Sequence, residues 1–512
     1  MKRERVLFRV NKSPAERVGM SGDAKVVGIL RAILVGAPLG FLLAWRPGAF
    51  LLLTVTLLTC GLIRRFVDEE DRRFIVCIFF FSLGARILLG TLNHYFEIEI
   101  VQNPLLGPDG ERYSTGGWYI SQIISGTRFE RLFSEEFHRL FPNAIKFLDY
   151  VDFVFRFHGK FLPALGHHAI GYFSYSIAFL YSIIGYSPLI LKWLNGFLGG
   201  LLPLLAYGLG RAMFDGRAVG RIAAVLFALH PSLMIWSATA LKEPVIIGSA
   251  LLFLYALIRF LAGGWIWSLG VLAGGMGMTL FRPWTAFIVW GTLGLGTLGW
   301  AVARFWRVTR WIAAGAGIAL LVLLVYQFPA AKNLSAEVVF QWKNSYAGRL
   351  QDPGPSSYLI FPASAYGEAR IGRIVARPLS SKELLHGVVF GIANFLFLPY
   401  PCCAQGGFRA LSSIVFLFWN VWLIFGLLGY LQSWRGNPLG AWFLGLFGVS
   451  ASLAIALNSF VVGTLIRHRD LVTPLFLVWA AGGLGWVGPK FKRWIVKAAR
   501  GTPAESIPAE GS

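Results

Sequence analysis

Apolar runs long enough to cross a bilayer recur along the whole chain, and short turns rich in Lys and Arg separate them. Runs of roughly 17 to 25 residues match what an α-helix needs to span hydrocarbon. In lipid only helices and closed barrels satisfy every backbone N–H and C=O, and a barrel would show short alternating segments. The runs here are continuous, so the expected fold class is an all-α polytopic membrane protein. Composition agrees. Of 512 residues, 56% are hydrophobic and 14% charged, and mean hydropathy is +0.62, whereas soluble chains carry about 25% charged residues.

The formal net charge of +22 would suggest nucleic acid on a soluble protein. Here the cations cluster in short loops between spans, as membrane topology requires, so no nucleic-acid partner is expected. The cysteines carry no metal-like spacing: Cys60 and Cys77 lie in apolar runs, and Cys402 and Cys403 are adjacent, an awkward geometry for pairing.

Charge bias then orders the chain. Residues 1–25 are basic and expected in the cytoplasm, and they are too long and too polar for a cleavable signal peptide. Residues 26–64 form a transmembrane hairpin, and a third span at about 74–94 delivers the chain outside. Further spans are expected at about 189–210, 220–239, 245–262, 265–281, 285–303, 311–328, 409–432, 440–460 and 471–488. That makes about twelve, with both ends inside. Two external loops result, 95–187 and 329–408. Residues 169–186 look like one more span, but crossing there would put the three arginines of 211–221 outside. They are therefore expected as an interfacial helix, and the apolar stretch 384–400, broken by Pro399 and Pro401, as interfacial or re-entrant. The tail, 489–512, is basic and then Pro-, Ser- and Glu-rich, as disordered segments are.

Charged groups just outside a span are costly unless they have work to do. Three clusters and one arginine fall on the expected outer side. The first is Asp109, Glu111, Arg112 and Tyr113, in Gly107-Pro-Asp-Gly-Glu-Arg-Tyr113. The second is Lys242-Glu243-Pro244, and the third is Arg467-His468-Arg469-Asp470. Arg282, in Phe281-Arg-Pro-Trp284, occupies another outer turn. The positive-inside tendency disfavours Arg282, Arg467 and Arg469 there, and an anion such as a lipid phosphate would explain them. Each has a plainer reading. Asp109 suits a turn, Glu243 suits the positive end of a helix dipole, the late arginines suit snorkelling, and His167 and His168 suit loop packing. Their common side favours a site.

From about residue 73 to 488 the chain resembles the GT-C superfamily of polyprenyl-phosphate-sugar-dependent glycosyltransferases. It is most similar to the branch of protein O-mannosyltransferases and the lipid A aminoarabinose transferase. Asp109 to Tyr113 looks like that family's acidic loop motif. His167-His-Ala-Ile-Gly171-Tyr172 through Gly185 resembles its stretch leading into an interfacial helix, without the usual prolines. Gly210 to Arg217 matches its basic turn, His230-Pro231 through Glu243-Pro244 its acidic residue before proline, and Arg467 to Pro474 its Arg-x-Arg-x-x-x-x-Pro. The 26–64 hairpin looks like an addition before the family core.

The resemblance implies a GT-C-like bundle in a plasma membrane, a bacterial inner membrane by style of composition, with its active site on the extracytoplasmic face. It implies transfer of a hexose or pentose from a polyprenyl-phosphate donor to a protein, lipid or polysaccharide acceptor. Asp109 would be the general base, with Glu243 as a second catalytic carboxylate. Lys242, Arg282, Arg467 and Arg469 would bind the donor phosphate, and Glu111, Tyr113, His167, His168, Tyr172 and His468 would line the substrate. Metal-independent and metal-assisted transfer, with Mg or Mn, both stay open, and no metal ligands are assigned. Two other readings stand beside this one. An O-antigen-type polymerase or ligase would centre on Arg370, Arg373, Arg377 and His386 of the late loop. A transporter or flippase of an anionic lipid-linked sugar would need charges buried in mid-span.

Overall fold

The computed structural model describes residues 47–96, 109–126, 171–305, 369–370, 373–374, 380–398, 407–459 and 462–499. The chain divides into two compact units, Met1–Val55 and Thr56–Ser512. Of the first, only the start of helix α1 (Pro47–Phe66) is described. In the second, α2 (Glu69–Tyr95), α3 (Asp109–Ile124), α4 (Gly171–Ile184) and α5 (Pro188–Phe214) follow. Next come α6 (Arg217–Leu229), α7 (Pro231–Ser237), α8 (Glu243–Leu261), α9 (Trp267–Phe281) and α10 (Thr285–Phe305). Last are α11 (Ser381–Phe397), α12 (Gly407–Gly436), α13 (Pro438–Asn458), α14 (Val462–Arg469) and α15 (Thr473–Ala499). Among the described residues the only strands are Ala369–Arg370 and Arg373–Ile374, a two-residue antiparallel ladder.

The protein is thus helical, and six of the described helices are long and apolar enough to cross a membrane, or seven if the bent pair α6–α7 counts as one span. The expected spans at 26–45 and 311–328 lie outside the described residues. Those at 265–281, 285–303 and 471–488 coincide with shorter apolar helices. Helix α4 has 14 residues, about 21 Å of rise, less than a hydrocarbon core of about 30 Å.

The expected span at 220–239 is bent. Residues 220–239 are not one helix: α6 and α7 meet at a bend of 57°. Pro231 has no N–H to give the Phe227 carbonyl, and the residue before a proline is pushed to extended backbone. His230 accordingly has φ −65° and ψ 119°.

Arg86, in the middle of α2 and fully buried, repairs that break. Its Nη2 donates to the Phe227 carbonyl at 3.2 Å, and its Nη1 to the Ala228 carbonyl at 3.4 Å. Its Nε donates to Ser237 Oγ at 2.9 Å, and Ser82 receives the rest. Two orphan carbonyls and one guanidinium therefore satisfy each other in the buried interior. Room for this comes from Gly199 of α5, where a Cβ would lie 2.7 Å from Arg86 Nε and 2.6 Å from Ser237 Oγ. Small residues serve the same purpose late in the chain. Gly429 of α12 meets the Trp479 carbonyl, and Gly483 of α15 meets the Phe425 carbonyl, so the two backbones touch.

The arginines of 211–221, expected as a basic turn, have acidic partners at the start of α2. Arg221 holds the buried Asp71 carboxylate, Nη2 to Oδ1 2.5 Å, and Tyr207 donates to Asp71 Oδ2 at 2.5 Å. Arg211 pairs with Asp68 at 2.7 Å, and Arg217 with Glu70. Helix α2 begins at Glu69, earlier than the 74–94 span, because these acids sit in its first turn, where the dipole favours them.

Candidate functional site

Three elements far apart in sequence bring charge to one point. Helix α8 opens with Lys242 as N-cap, Glu243 in its first turn and Pro244 behind it. The placement suits both residues, since a carboxylate is stabilised at a helix N-terminus and proline there forfeits no internal hydrogen bond. Arg282 is the residue after α9, and its carbonyl accepts from Thr285 Oγ1 at 2.7 Å, which fixes the turn into α10. Arg467 lies in the last turn of α14.

Their side chains meet at Glu243. Arg282 Nη2 donates to Glu243 Oε1 at 2.9 Å, with 4% and 1% of the two side chains exposed. Arg467 Nε lies 2.8 Å from the same oxygen. The other oxygen, Oε2, is buried and has no hydrogen-bond partner among the described residues. A buried acceptor left unmatched is uncommon and calls for an explanation. Lys242 sits 5.6 Å from the ring centroid of Tyr113, a cation–π distance. Two cations therefore share one carboxylate oxygen, and the excess positive charge suits an anionic ligand.

Aromatic rings frame the group. Tyr113 packs edge-on against Phe173, and Phe173 against Phe281, with centroids 5.4 and 6.1 Å apart. Trp284 lies under Arg282 at 5.7 Å and beside His468 at 5.8 Å. His468 Nδ1 is 2.8 Å from Ser459 Oγ. Burial first, and then the charges of Arg282, Arg467 and Lys242, hold this imidazole well below its ordinary value, so it is neutral.

Of the residues expected from sequence, Tyr113, Lys242, Glu243, Arg282, Arg467 and His468 come together. Arg469 does not. It stands two positions from Arg467, and residues i and i+2 do not share a helix face. Its Nη1 donates to the Leu398 and Phe395 carbonyls at 2.6 and 3.2 Å, closing the end of α11, and its guanidinium stacks on Trp419 at 4.2 Å. The next residue, Asp470, also works structurally: it accepts from Trp236 Nε1 at 2.5 Å and Thr473 Oγ1 at 2.8 Å. Tyr172 is 55% exposed, and its neighbour Phe173 is the one that reaches Tyr113. Asp109 and Glu111 lie in the first turn of α3, but their side chains, like all of His167 and His168, lie outside the described residues. Phe173, Ser459 and Arg86 were missed from sequence. Only Arg86 left a signal, as a lone cation inside an apolar run.

The described residues do not fit a divalent cation. Among them no group of three His, Cys, Asp or Glu is arranged to hold one. The carboxylate with the single free oxygen is also already claimed by two arginines. Fold and site together define a helical, membrane-embedded protein with a buried cationic cluster at one end of its helices. No family model matches the chain, and no curated protein matches it.

Proposed function

We propose that the protein is an integral-membrane glycosyltransferase that moves a sugar from a polyprenyl-phosphate donor to an acceptor on the extracytoplasmic face. The observation that carries this reading is the convergence of Arg282 and Arg467 on one buried oxygen of Glu243, with Lys242 beside Tyr113. A lipid-linked phosphate that leaves as an anion needs fixed positive charge in a water-poor site rather than a proton donor. The unmatched Glu243 Oε2 is suited to accept a hydrogen bond from a hydroxyl of donor or acceptor. The twelve-span GT-C-like topology belongs to the same proposal.

In the proposed reaction the acceptor oxygen or nitrogen attacks the anomeric carbon, and its proton passes to Asp109. The bond from that carbon to the phosphate oxygen breaks, and polyprenyl phosphate departs with the electron pair beside Arg282 and Arg467. Position 109 precedes Tyr113 by one turn of α3, which supports placing the base next to the cluster. The transporter reading draws on Arg86, a cation buried in mid-span. All three of its nitrogens are engaged with α2, α6 and α7, which favours a structural role.

The test is transfer from radiolabelled polyprenyl-phosphate sugars in membranes. Asp109→Asn is expected to lose transfer by about 100-fold or more, the scale of a general base, with protein level and donor binding retained. Arg467→Gln is expected to weaken donor binding. Undiminished transfer in Asp109→Asn would remove Asp109 from the chemistry. A wild type that transfers from no such donor would overturn the reading.

A further inference from the structure

The end of α8 remote from Glu243 borders a second site. A cavity of about 630 Å³ opens between α5, α8 and the α1–α2 turn. Arg259 lines it, 16 residues beyond Glu243 on the same helix, about 24 Å along the axis. Its lining includes the apolar side chains of Leu204, Leu205 and Ile258. The lining is also charged, and most of that charge is already matched. Arg211 is held by Asp68 at 2.7 Å, and Arg217 by Glu70.

Two lining charges remain, one of each sign. Arg259 is exposed and steadied over the Trp267 ring at 5.7 Å, and among the described residues it has no ion-pair partner. Asp215, the left-handed C-cap of α5 with φ 51°, is exposed and likewise has no ion-pair partner among them. Asn437, also in the lining, uses Oδ1 to cap α13 through Gly440 N at 2.9 Å, which leaves its Nδ2 as a donor. A wholly anionic ligand would find Asp215 repulsive, and a cationic one would find Arg259 so. An amphiphile with both charges and an apolar body matches the lining.

We propose that this cavity binds a zwitterionic glycerophospholipid. Its phosphate lies at Arg259 and Asn437, its ammonium at Asp215, and its acyl chains along Leu204, Leu205 and Ile258. The site is separate from the proposed donor site and makes no use of the transfer reaction, so the two readings stand or fall apart.

The experiment is native mass spectrometry of the full chain in detergent, titrated with dioleoyl phosphatidylethanolamine, dioleoyl phosphatidylglycerol or glycerophosphoethanolamine. The ethanolamine lipid is expected to bind at least tenfold more tightly than the glycerol lipid, and the chain-free headgroup at least tenfold more weakly than its lipid. Asp215→Asn should abolish the preference between lipids, and Arg259→Gln should weaken both. Ala262→Trp, at the exposed rim of the cavity, keeps every charge and should block binding without disturbing the core. Equal binding of both lipids to wild type, or unchanged binding in Asp215→Asn and Ala262→Trp, would overturn the proposal. Loss in Arg259→Gln alone, with Asp215→Asn silent, would overturn it in favour of a simple anion site.

Discussion

Arg282 and Glu243, 39 residues apart in sequence, meet at 2.9 Å with both side chains almost wholly out of solvent. Neither charge is tolerable there without the other, and Arg467 makes the carboxylate the hinge of a three-residue group. A buried pair of this kind is weak evidence for stability in itself, because desolvation offsets its attraction. Breaking it is another matter.

Glu243→Gln leaves Arg282 and Arg467 facing one another, and the expected cost is about 3–5 kcal/mol. Thermal unfolding in detergent checks this. The double variant Glu243→Gln/Arg282→Gln should recover part of the loss. Strictly additive single and double effects would mean that the two residues are not coupled.

Arg86→Met is expected to destabilise by about 1–3 kcal/mol for each buried carbonyl it strands. Pro231→Ala returns an N–H that can reach the Phe227 carbonyl, so Arg86→Met should cost less in that background. An equal cost in both backgrounds would show that Arg86 does not serve the broken helix.

Gly199→Ala places a Cβ against Arg86 Nε and Ser237 Oγ, and overpacking of this kind costs about 1–3 kcal/mol. Gly84→Ala in α2, where nothing lies within 4 Å of the added carbon, is the control. It should be neutral or slightly stabilising, since alanine is the better helix former. Comparable melting shifts in the two variants would contradict the packing described for Gly199.

His468 is held uncharged, well below its ordinary value of 6.5, by burial and then by Arg282, Arg467 and Lys242. The unfolded chain binds a proton that the folded chain refuses. The stability tied to this residue is therefore complete above pH 6.5 and declines as pH falls below it. His468→Asn can keep a hydrogen bond to Ser459 without titrating. Melting at pH 7.5 and pH 5.5 should show a larger acid loss in wild type than in this variant, and equal losses would place the imidazole elsewhere.

The helical, membrane-embedded class was legible from residue order alone, because hydrocarbon accepts no other continuous backbone solution for runs this long. The charged residues at span ends could be named one at a time from the same logic. Arginines at span ends that defy the expected topology stand out in a sequence, and Arg282, Arg467 and Arg469 did. What sequence cannot carry is direction. Arg467 and Arg469 look equivalent on paper, yet helical geometry sends one to Glu243 and the other to the carbonyls of Phe395 and Leu398.

Arg86 gives the same lesson from inside the bundle. An apolar run from 220 to 239 reads as one span, and an arginine in another run reads as a cost. Only the tertiary structure shows that the break at His230–Pro231 strands two carbonyls and that Arg86 reaches them from α2. Periodicity and hydropathy are local and survive in a linear chain. The partner of a buried charge is set by how helices pack, and that information exists only once the chain has folded.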